Sequence, residues 1–149
     1  VNLADVVQTR VFKFERVNGG WAVNGKFWDP QQDHTLAELI NPSIQIRRNT
    51  AEKWVLVNES GGWEHPIHID FEEGHVLTIN GKKPAVRTRQ DVYRVGKTTT
   101  QEVFLRFRDF PDPAFSATKT KGDAGRYPMH CHNMVHEDHA MMTTWTIVP

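Results

Sequence analysis

Short runs of β-branched and aromatic residues recur along the chain, and this pattern constrains the fold most strongly. In the run at residues 101–108, Val103, Leu105 and Phe107 alternate with residues of the opposite face, as in a strand whose successive side chains point to opposite sides. Similar runs occupy residues 10–17, 44–48, 52–57, 75–79 and 141–148. Many short strands separated by turn signals predict an all-β sandwich or barrel.

Turn residues separate these runs, and helical patterns are scarce. The turn signals are Asn18-Gly19-Gly20, Asn24-Gly25, Asn41-Pro42, Ser60-Gly61-Gly62, Asn80-Gly81 and the Pro/Asp-rich stretch 109–114. Only residues 35–40 and 133–139 suggest short helical turns, and residues 115–125 indicate an exposed loop. The length of 149 residues suits one domain, and no repeat or linker divides the chain. We therefore predict a single domain over residues 1–149.

Charge and composition exclude several classes of protein. Lys and Arg number 18, as do Asp and Glu, so the chain lacks the basic footprint of a nucleic-acid binder. No apolar run is long enough for a membrane span. The single cysteine excludes an intramolecular disulfide framework. The chain begins Val1-Asn2-Leu3 without an initiator Met or a signal peptide, which indicates a processed chain or a piece of a longer one.

Two histidine clusters carry the functional signal. The first is His65-Pro66-Ile67-His68-Ile69-Asp70. Strand alternation places His68 and Asp70 on one face, and Pro66 predicts a local bend that turns His65. The second is His130-Cys131-His132, followed by His136 and Met141 in the spacing Cys-x4-His-x4-Met. On a strand, the two histidines of His-Cys-His face one way and the cysteine faces the other, so they serve different sites.

These residue types fit copper. A thiolate, two imidazoles and a weak axial thioether make a trigonal blue-copper site, here His65, Cys131, His136 and Met141. His68, His130 and His132 make a second, all-imidazole set. Singly, a buried cysteine or a methionine filling the core is the more ordinary interpretation. Together, the fixed spacings favour a metal, and the methionine argues against zinc, the rival metal.

The two clusters resemble the copper motifs in the last cupredoxin domain of multicopper oxidases. The family pattern is HPxHxH followed by HCHxxxHxxxxM, and the form HCHNMVHEDHAMM is most similar to the bilirubin oxidase and bacterial spore-coat laccase branch. Residues 21–26, 52–58, 106–109 and 125–127 fit the same domain, so the resemblance extends from about Trp21 to the end. It implies a cupredoxin-like Greek-key β-sandwich or barrel with short helical turns in its loops.

The resemblance implies a role for each ligand. His65, Cys131, His136 and Met141 are expected to hold type 1 copper, with His136 at the solvent edge where the reducing substrate meets it. Cys131 is expected to pass electrons to its neighbours. Those neighbours, His130 and His132, would bind the type 3 pair, and His68 the type 2 copper. Such a cluster reduces O2 to water.

Two features depart from the family pattern. Asp70 stands where the family has a type 3 histidine. Three interpretations are open: its carboxylate binds copper, it supports a ligand, or the residue is an engineered change. The family's other cluster ligands come from two His-x-His motifs of its first domain, which this chain lacks. We therefore expect N-terminal cupredoxin domains or a partner chain to supply them. Glu137 and Asp138, within the ligand loop, are interpreted as a solvated acidic turn, with orientation of a histidine or a cationic substrate as the alternative.

Three functions remain to be compared. The leading hypothesis is the copper-binding domain of a laccase-like oxidase that takes single electrons from a small reducing substrate, such as a phenol, a bilirubin-like pyrrole, Cu(I) or Mn(II). The alternative is a stand-alone blue-copper electron carrier, although the histidines flanking Cys131 argue against it. A copper store lacks the expected Met-rich or His-rich tract. The family also implies a periplasmic, secreted or cell-surface location.

Overall fold

The computed structural model describes residues 1–29, 44–70, 72–108 and 126–148. Within these ranges, strands predominate and helix is limited to two short segments. The elements are a 3₁₀ turn (Leu3–Asp5), β1 (Val6–Val17), β2 (Gly20–Val23), β3 (Gln45–Arg47), β4 (Ala51–Asn58), β5 (His65–Ile69), β6 (Gly74–Ile79), β7 (Arg89–Gln90), β8 (Val92–Val95), β9 (Thr100–Arg106), β10 (Arg126–Cys131), α1 (Met134–Asp138) and β11 (Met142–Val148).

The strands form two sheets. One sheet has the order β2-β1-β4-β9-β6-β7, and the other has the order β3-β11-β10-β5-β8. The β1–β4 and β11–β3 pairs are parallel, and the other pairs are antiparallel. Neighbouring strands are therefore often distant in sequence, which brings the two histidine motifs onto adjacent strands, β5 and β10.

Large apolar side chains from both sheets share one hydrophobic core. Trp54 of β4 and Trp145 of β11 are almost completely buried, and their rings meet edge to face with centroids 6.1 Å apart. Phe107 contacts both indoles, at centroid distances of 5.5 and 5.0 Å. Aromatic pairs of this kind contribute about 0.5–1.5 kcal/mol beyond their buried area. The shared core holds the sheets face to face as a β-sandwich, which confirms the predicted all-β class.

Asn-Gly turns end several strands where the sequence predicts them. Asn18 and Gly19 have φ values of 48° and 83° and join β1 to β2 as a two-residue hairpin. Positive φ at both positions suits Asn-Gly, and it matches the right-handed twist of the strands. Asn24-Gly25 and Asn80-Gly81 have the same signs of φ.

Most of the predicted runs form strands, with a few differences. The runs at 10–17, 44–48, 52–57, 75–79, 101–108 and 141–148 correspond to β1, β3, β4, β6, β9 and β11, and the helical turn at 133–139 corresponds to α1. Val103, Leu105 and Phe107 are buried as expected, but Phe104 is also buried, in a small cluster on the other face of the sheet. The predictions for 35–40, 41–42, 109–114 and 115–125 lie outside the described residues. The single domain over 1–149 stays a prediction.

The strand β5 is regular, so the bend predicted at Pro66 is wrong. Burial alternates from His65 to Ile69, and Pro66 pairs with Arg94 of β8. The Pro66 carbonyl accepts a hydrogen bond from the His132 amide at 2.7 Å, just beyond the last residue of β10. The position where proline lacks an N–H therefore lies at the end of the β5–β10 ladder. Its absence removes few hydrogen bonds between the two strands. Because β5 stays straight, His65 and His68 point to opposite faces of the sheet.

Candidate metal centre

Three buried side chains converge at one end of β5 and β10. His65 begins β5, Cys131 ends β10, and His136 lies on α1. The Cys131 Sγ atom is 3.5 Å from Nδ1 of each histidine, and the two Nδ1 atoms are 3.1 Å apart. For metal bonds of about 2.0 Å to nitrogen and 2.3 Å to sulfur, donor atoms at trigonal or tetrahedral angles lie about 3.3–3.8 Å apart. The three atoms are thus close to the spacing that one metal ion requires.

Met141 is held beside this cluster by the backbone. The Met141 amide donates to the His136 carbonyl at 3.0 Å, and the Met141 carbonyl accepts from the Cys131 amide at 3.1 Å. The Asn133 side chain accepts from the Val135 amide and caps α1, which fixes the first turn of the loop. Met141 is fully buried. The loop between Cys131 and Met141 therefore closes over the cluster, as the Cys-x4-His-x4-Met spacing predicts.

Burial keeps the metal-free cluster neutral. Desolvation, and secondarily the neighbouring His136, lower the pKa of His65 to about 4. Desolvation also lowers the pKa of His136, with smaller contributions from His139 and Arg16. Desolvation raises the pKa of the Cys131 thiol to about 11, with Glu137 adding to the rise and a hydrogen bond from the Asn133 backbone opposing it. A cation bound among the three side chains would offset the cost of burying a negatively charged thiolate. The thiolate is the form of cysteine that binds metals.

A chain of hydrogen bonds fixes the tautomer of His65. The Asn58 side-chain amide donates to the carbonyls of Trp63, Val95 and Gly96, so its oxygen must face Ser60. That oxygen accepts the Ser60 hydroxyl proton at 2.7 Å. The Ser60 oxygen, 2.5 Å from His65 Nε2, is therefore left to accept the Nε2 proton. Nδ1 of His65 consequently carries a lone pair aimed at Cys131 and His136, which suits a metal ligand.

We expect Ser60→Ala to weaken copper binding by about 10- to 100-fold, the usual cost of losing the partner of a ligating histidine. Without the hydroxyl, His65 no longer has a buried acceptor for its Nε2 proton, so the Nδ1-protonated tautomer competes with metal binding. Competition with a copper chelator, with Ser60→Thr as the control that keeps the hydroxyl, measures the effect. Equal affinity in Ser60→Ala and the unaltered chain would contradict this role.

Two tryptophans cover His136, so the solvent-edge position predicted for it is wrong in this structure. His136 is fully buried, with the Trp21 ring at a centroid distance of 3.8 Å and the Trp63 ring at 5.3 Å. Trp63 itself is 50% exposed. The aromatic cover excludes water from the thiolate and imidazoles. Trp63, rather than His136, presents the surface over this end of the cluster.

The three histidines of the second set meet on the opposite face of the same two strands. His130 pairs with His68 across the β10–β5 ladder. The His68 and His130 rings are 5.3 Å apart between centroids, and His132 lies 5.8 and 5.6 Å from them. Asp70 lies beside His68 and His130, and these three residues offer ligand atoms within 4.8 Å of one another. Strand alternation therefore separates the candidate ligands into two groups, as predicted from sequence.

Two residues beside the first group are not predicted by the sequence. Ser60 and Asn58 lie outside both histidine motifs, and only the fold brings them to His65. The Glu137 Oε1 atom lies 3.4 Å from Nδ1 of His130, and its side chain is 35% exposed. Glu137 therefore fits the alternative of a carboxylate that orients a histidine, whereas Asp138 is exposed as expected for a solvated turn. The position of Glu137 in the ligand loop was the one available signal.

Comparison with known proteins identifies the class and then the family. The multicopper oxidase McoA from the hyperthermophile Aquifex aeolicus has a TM-score of 0.80 at 19% identity and covers 100% of this chain and 31% of that chain, which establishes the same fold. The β-sandwich and its buried Cys–His cluster therefore define a domain of the cupredoxin class. The chain matches the multicopper oxidase family over residues 8–149. It belongs to that family, whose cofactor is copper.

Curated relatives agree with this assignment. The chain is 31% identical over 148 residues to bilirubin oxidase from Albifimbria verrucaria, a match that covers 94% of this chain and 22% of that protein. It is 33% identical over 126 residues to a laccase from Haloferax volcanii, covering 83% of this chain and 20% of that protein. The chain thus spans about a fifth of the length of these relatives. No helix among the described residues is long and apolar enough to cross a membrane.

Proposed function

We propose that this chain forms the copper-binding, electron-accepting domain of a laccase-like oxidase. The observation that carries the proposal is the buried convergence of Cys131 Sγ with the Nδ1 atoms of His65 and His136 at 3.1–3.5 Å. These three residues, with Met141 as the axial thioether, are the proposed type 1 ligands. Copper bound there supplies one-electron redox chemistry, taking electrons from a reducing substrate for the four-electron reduction of O2 to water.

The protein part of this function follows from burial and hydrogen bonding. His65 is held by Ser60 with its lone pair inward, and Trp21 and Trp63 keep water from His136. Rigid, dry ligands favour electron transfer because little rearrangement accompanies a change of copper oxidation state. We therefore expect electrons to enter the site through His136 and to leave it through Cys131.

Cys131 also provides a covalent route between the two groups. It lies on β10 directly between His130 and His132, so backbone bonds connect a residue of the buried cluster to residues of the other face. His130 and His132 are the proposed type 3 ligands, and His68 the proposed type 2 ligand. A stand-alone electron carrier has no need of histidines on both sides of its thiolate, which favours the oxidase.

The other half of the oxygen-reducing cluster must come from another domain or chain with His-x-His motifs. The short coverage of the relatives supports this part of the proposal, because four fifths of each lies outside the match. By family likeness, the proposed reducing substrate is a phenol, a bilirubin-like pyrrole, Cu(I) or Mn(II). A periplasmic, secreted or cell-surface location is proposed on the same basis.

Copper loading tests the proposal directly. We expect the chain to gain an intense blue absorption band and a Cu(II) EPR signal with small parallel hyperfine splitting, because the copper–thiolate bond is highly covalent. We expect negligible O2 consumption by the chain alone with a phenol, and turnover by the full-length protein that contains the missing histidines. Absence of the blue band after loading, with Cys131 still reduced, would contradict the proposal.

A further inference from the structure

Arg16 lies over the aromatic cover of the buried Cys–His cluster. It pairs with Trp21 across the β1–β2 hairpin, and its Cζ atom is 5.2 Å from the centroid of the Trp21 ring. On β1, Phe12 and Phe14 are buried in the core, and strand alternation gives Arg16 the same face two residues further on. Arg16 is nevertheless exposed. The end of β1 therefore carries a guanidinium to the surface beside the cluster.

Trp21 connects this charge to both histidines of the cluster. Trp21 is 4% exposed, and its ring lies at centroid distances of 3.8 Å from His136 and 5.7 Å from His65. A guanidinium over the face of a tryptophan is attracted by the negative potential of the ring, which restrains the otherwise flexible side chain. A single aromatic residue therefore links Arg16 to the proposed copper ligands.

The charge of Arg16 is permanent and is not neutralised by a carboxylate in the described part of the chain. A guanidinium does not lose its proton in proteins, and Arg16 forms no ion pair with any described residue. Desolvation lowers the pKa of His136 most, and the charges of His139 and Arg16 lower it further. The positive potential of Arg16 therefore extends to the ligand beneath Trp21.

We propose that Arg16, held by Trp21, raises the reduction potential of copper bound by His65, Cys131 and His136. A positive charge near the ion disfavours Cu(II) more than Cu(I), since Cu(II) carries one more positive charge. Because Trp21 and the ligands are buried, little water screens the charge on the side that faces the cluster. Arg16 thereby makes the site a stronger electron acceptor. The inference rests on the proposed function and adds to it a residue that acts from outside the ligand set.

Spectroelectrochemical titration of the blue band in the copper-loaded chain tests the proposal. At a fixed solution potential, Arg16→Gln is expected to lower the ratio of Cu(I) to Cu(II) about 3- to 10-fold, which corresponds to about 30–60 mV. Arg16→Glu changes the charge by two units instead of one, so the ratio is expected to fall about 10- to 100-fold. Arg16→Lys keeps the charge, and its ratio is expected to stay within about twofold of that of the unaltered chain.

Two further variants show whether position and contact matter. Arg89→Gln is the same substitution on β7, at the other edge of the sheet, where Arg89 pairs with Glu73. It is the matched control and is expected to leave the potential unchanged. Trp21→Leu removes the ring that restrains Arg16, so adding Arg16→Gln to that variant is expected to change the ratio less than about twofold. Circular dichroism of the metal-free variants measures whether each one folds.

The outcomes distinguish this inference from the proposed function. A normal blue band with equal potentials in the unaltered chain, Arg16→Gln and Arg16→Glu would overturn the inference alone. Equal shifts in Arg16→Gln and Arg16→Glu would also overturn it, because they would indicate packing instead of charge. A full Arg16→Gln shift in the Trp21→Leu chain would overturn the role given to Trp21. Absence of the blue band from the unaltered chain would contradict the proposed function and this inference with it.

Discussion

The Cys131→Ser chain is expected to lose the blue absorption band completely after loading with Cu(II). A serine hydroxyl stays protonated where a thiol can ionise, and oxygen does not form the covalent bond that gives the copper–thiolate band its intensity. Because this is the chain's single cysteine, no other thiol can replace it. Copper affinity is also expected to fall more than 100-fold, beyond the cost of losing an outer partner. Visible absorption, EPR and chelator competition measure these changes.

Met142→Leu is the matched control for this prediction. Met142 follows the proposed axial ligand Met141 but lies on β11, where it pairs with His130 across the ladder. We expect its blue band and copper affinity to equal those of the unaltered chain. A blue band that persists in Cys131→Ser would refute the proposed thiolate ligand. Loss of the band in Met142→Leu as well would show that the effect is not specific to the thiolate.

Trp54→Ala is expected to lower the free energy of unfolding by about 3–5 kcal/mol, as for other large aromatic side chains removed from a core. Trp54 is fully buried between Phe12, Phe107 and Trp145. Its Nε1 atom also donates to Glu52 Oε2 at 2.8 Å. Since domains are typically stable by about 5–15 kcal/mol, this substitution removes a large share of the total. Urea unfolding of the metal-free chain measures the loss.

Two tryptophan variants separate the contributions to this effect. Trp54→Phe keeps most of the apolar volume but leaves Glu52 with Arg10 as its one donor among the described residues, so we expect a loss of about 1–3 kcal/mol. Trp63→Ala removes a ring that is 50% exposed, and we expect a loss of about 1 kcal/mol. A Trp54→Ala chain as stable as Trp63→Ala would contradict the assignment of Trp54 to the centre of the core.

The two ligand groups are close in space but chemically separate, because they lie on opposite faces of one sheet. Cys131 and His65 face a dry core, where burial holds the pKa of the thiol high and that of the imidazole low. His68 and His130 face the carboxylates of Asp91 and Glu137, respectively. The buried face therefore suits a soft, redox-active ion.

Local sequence patterns predicted much of the fold. The period-two pattern of β9 and the Asn-Gly turns predicted elements correctly because both signals depend on neighbouring residues alone. The strands β2, β7 and β8 were not predicted, since they have two to four residues and depend on pairing with longer strands for their conformation. The predicted bend at Pro66 was wrong because β10 has already ended opposite Pro66. The N–H that proline lacks is therefore not needed for pairing there.

The sequence by itself determined the ligand types, their spacing and their division between two faces, because strand alternation and the Cys-x4-His-x4-Met loop are local. Only the tertiary structure decided which residues, distant in sequence, complete the two ligand groups. Pairing of β5 with β10 brings His65 to within 3.5 Å of Cys131, 66 residues away. The Ser60 contact that sets the His65 tautomer, the Trp63 cover and the carboxylates that face His68 and His130 likewise depend on strand order and register. Those are set by burial of the whole core, which no local pattern encodes.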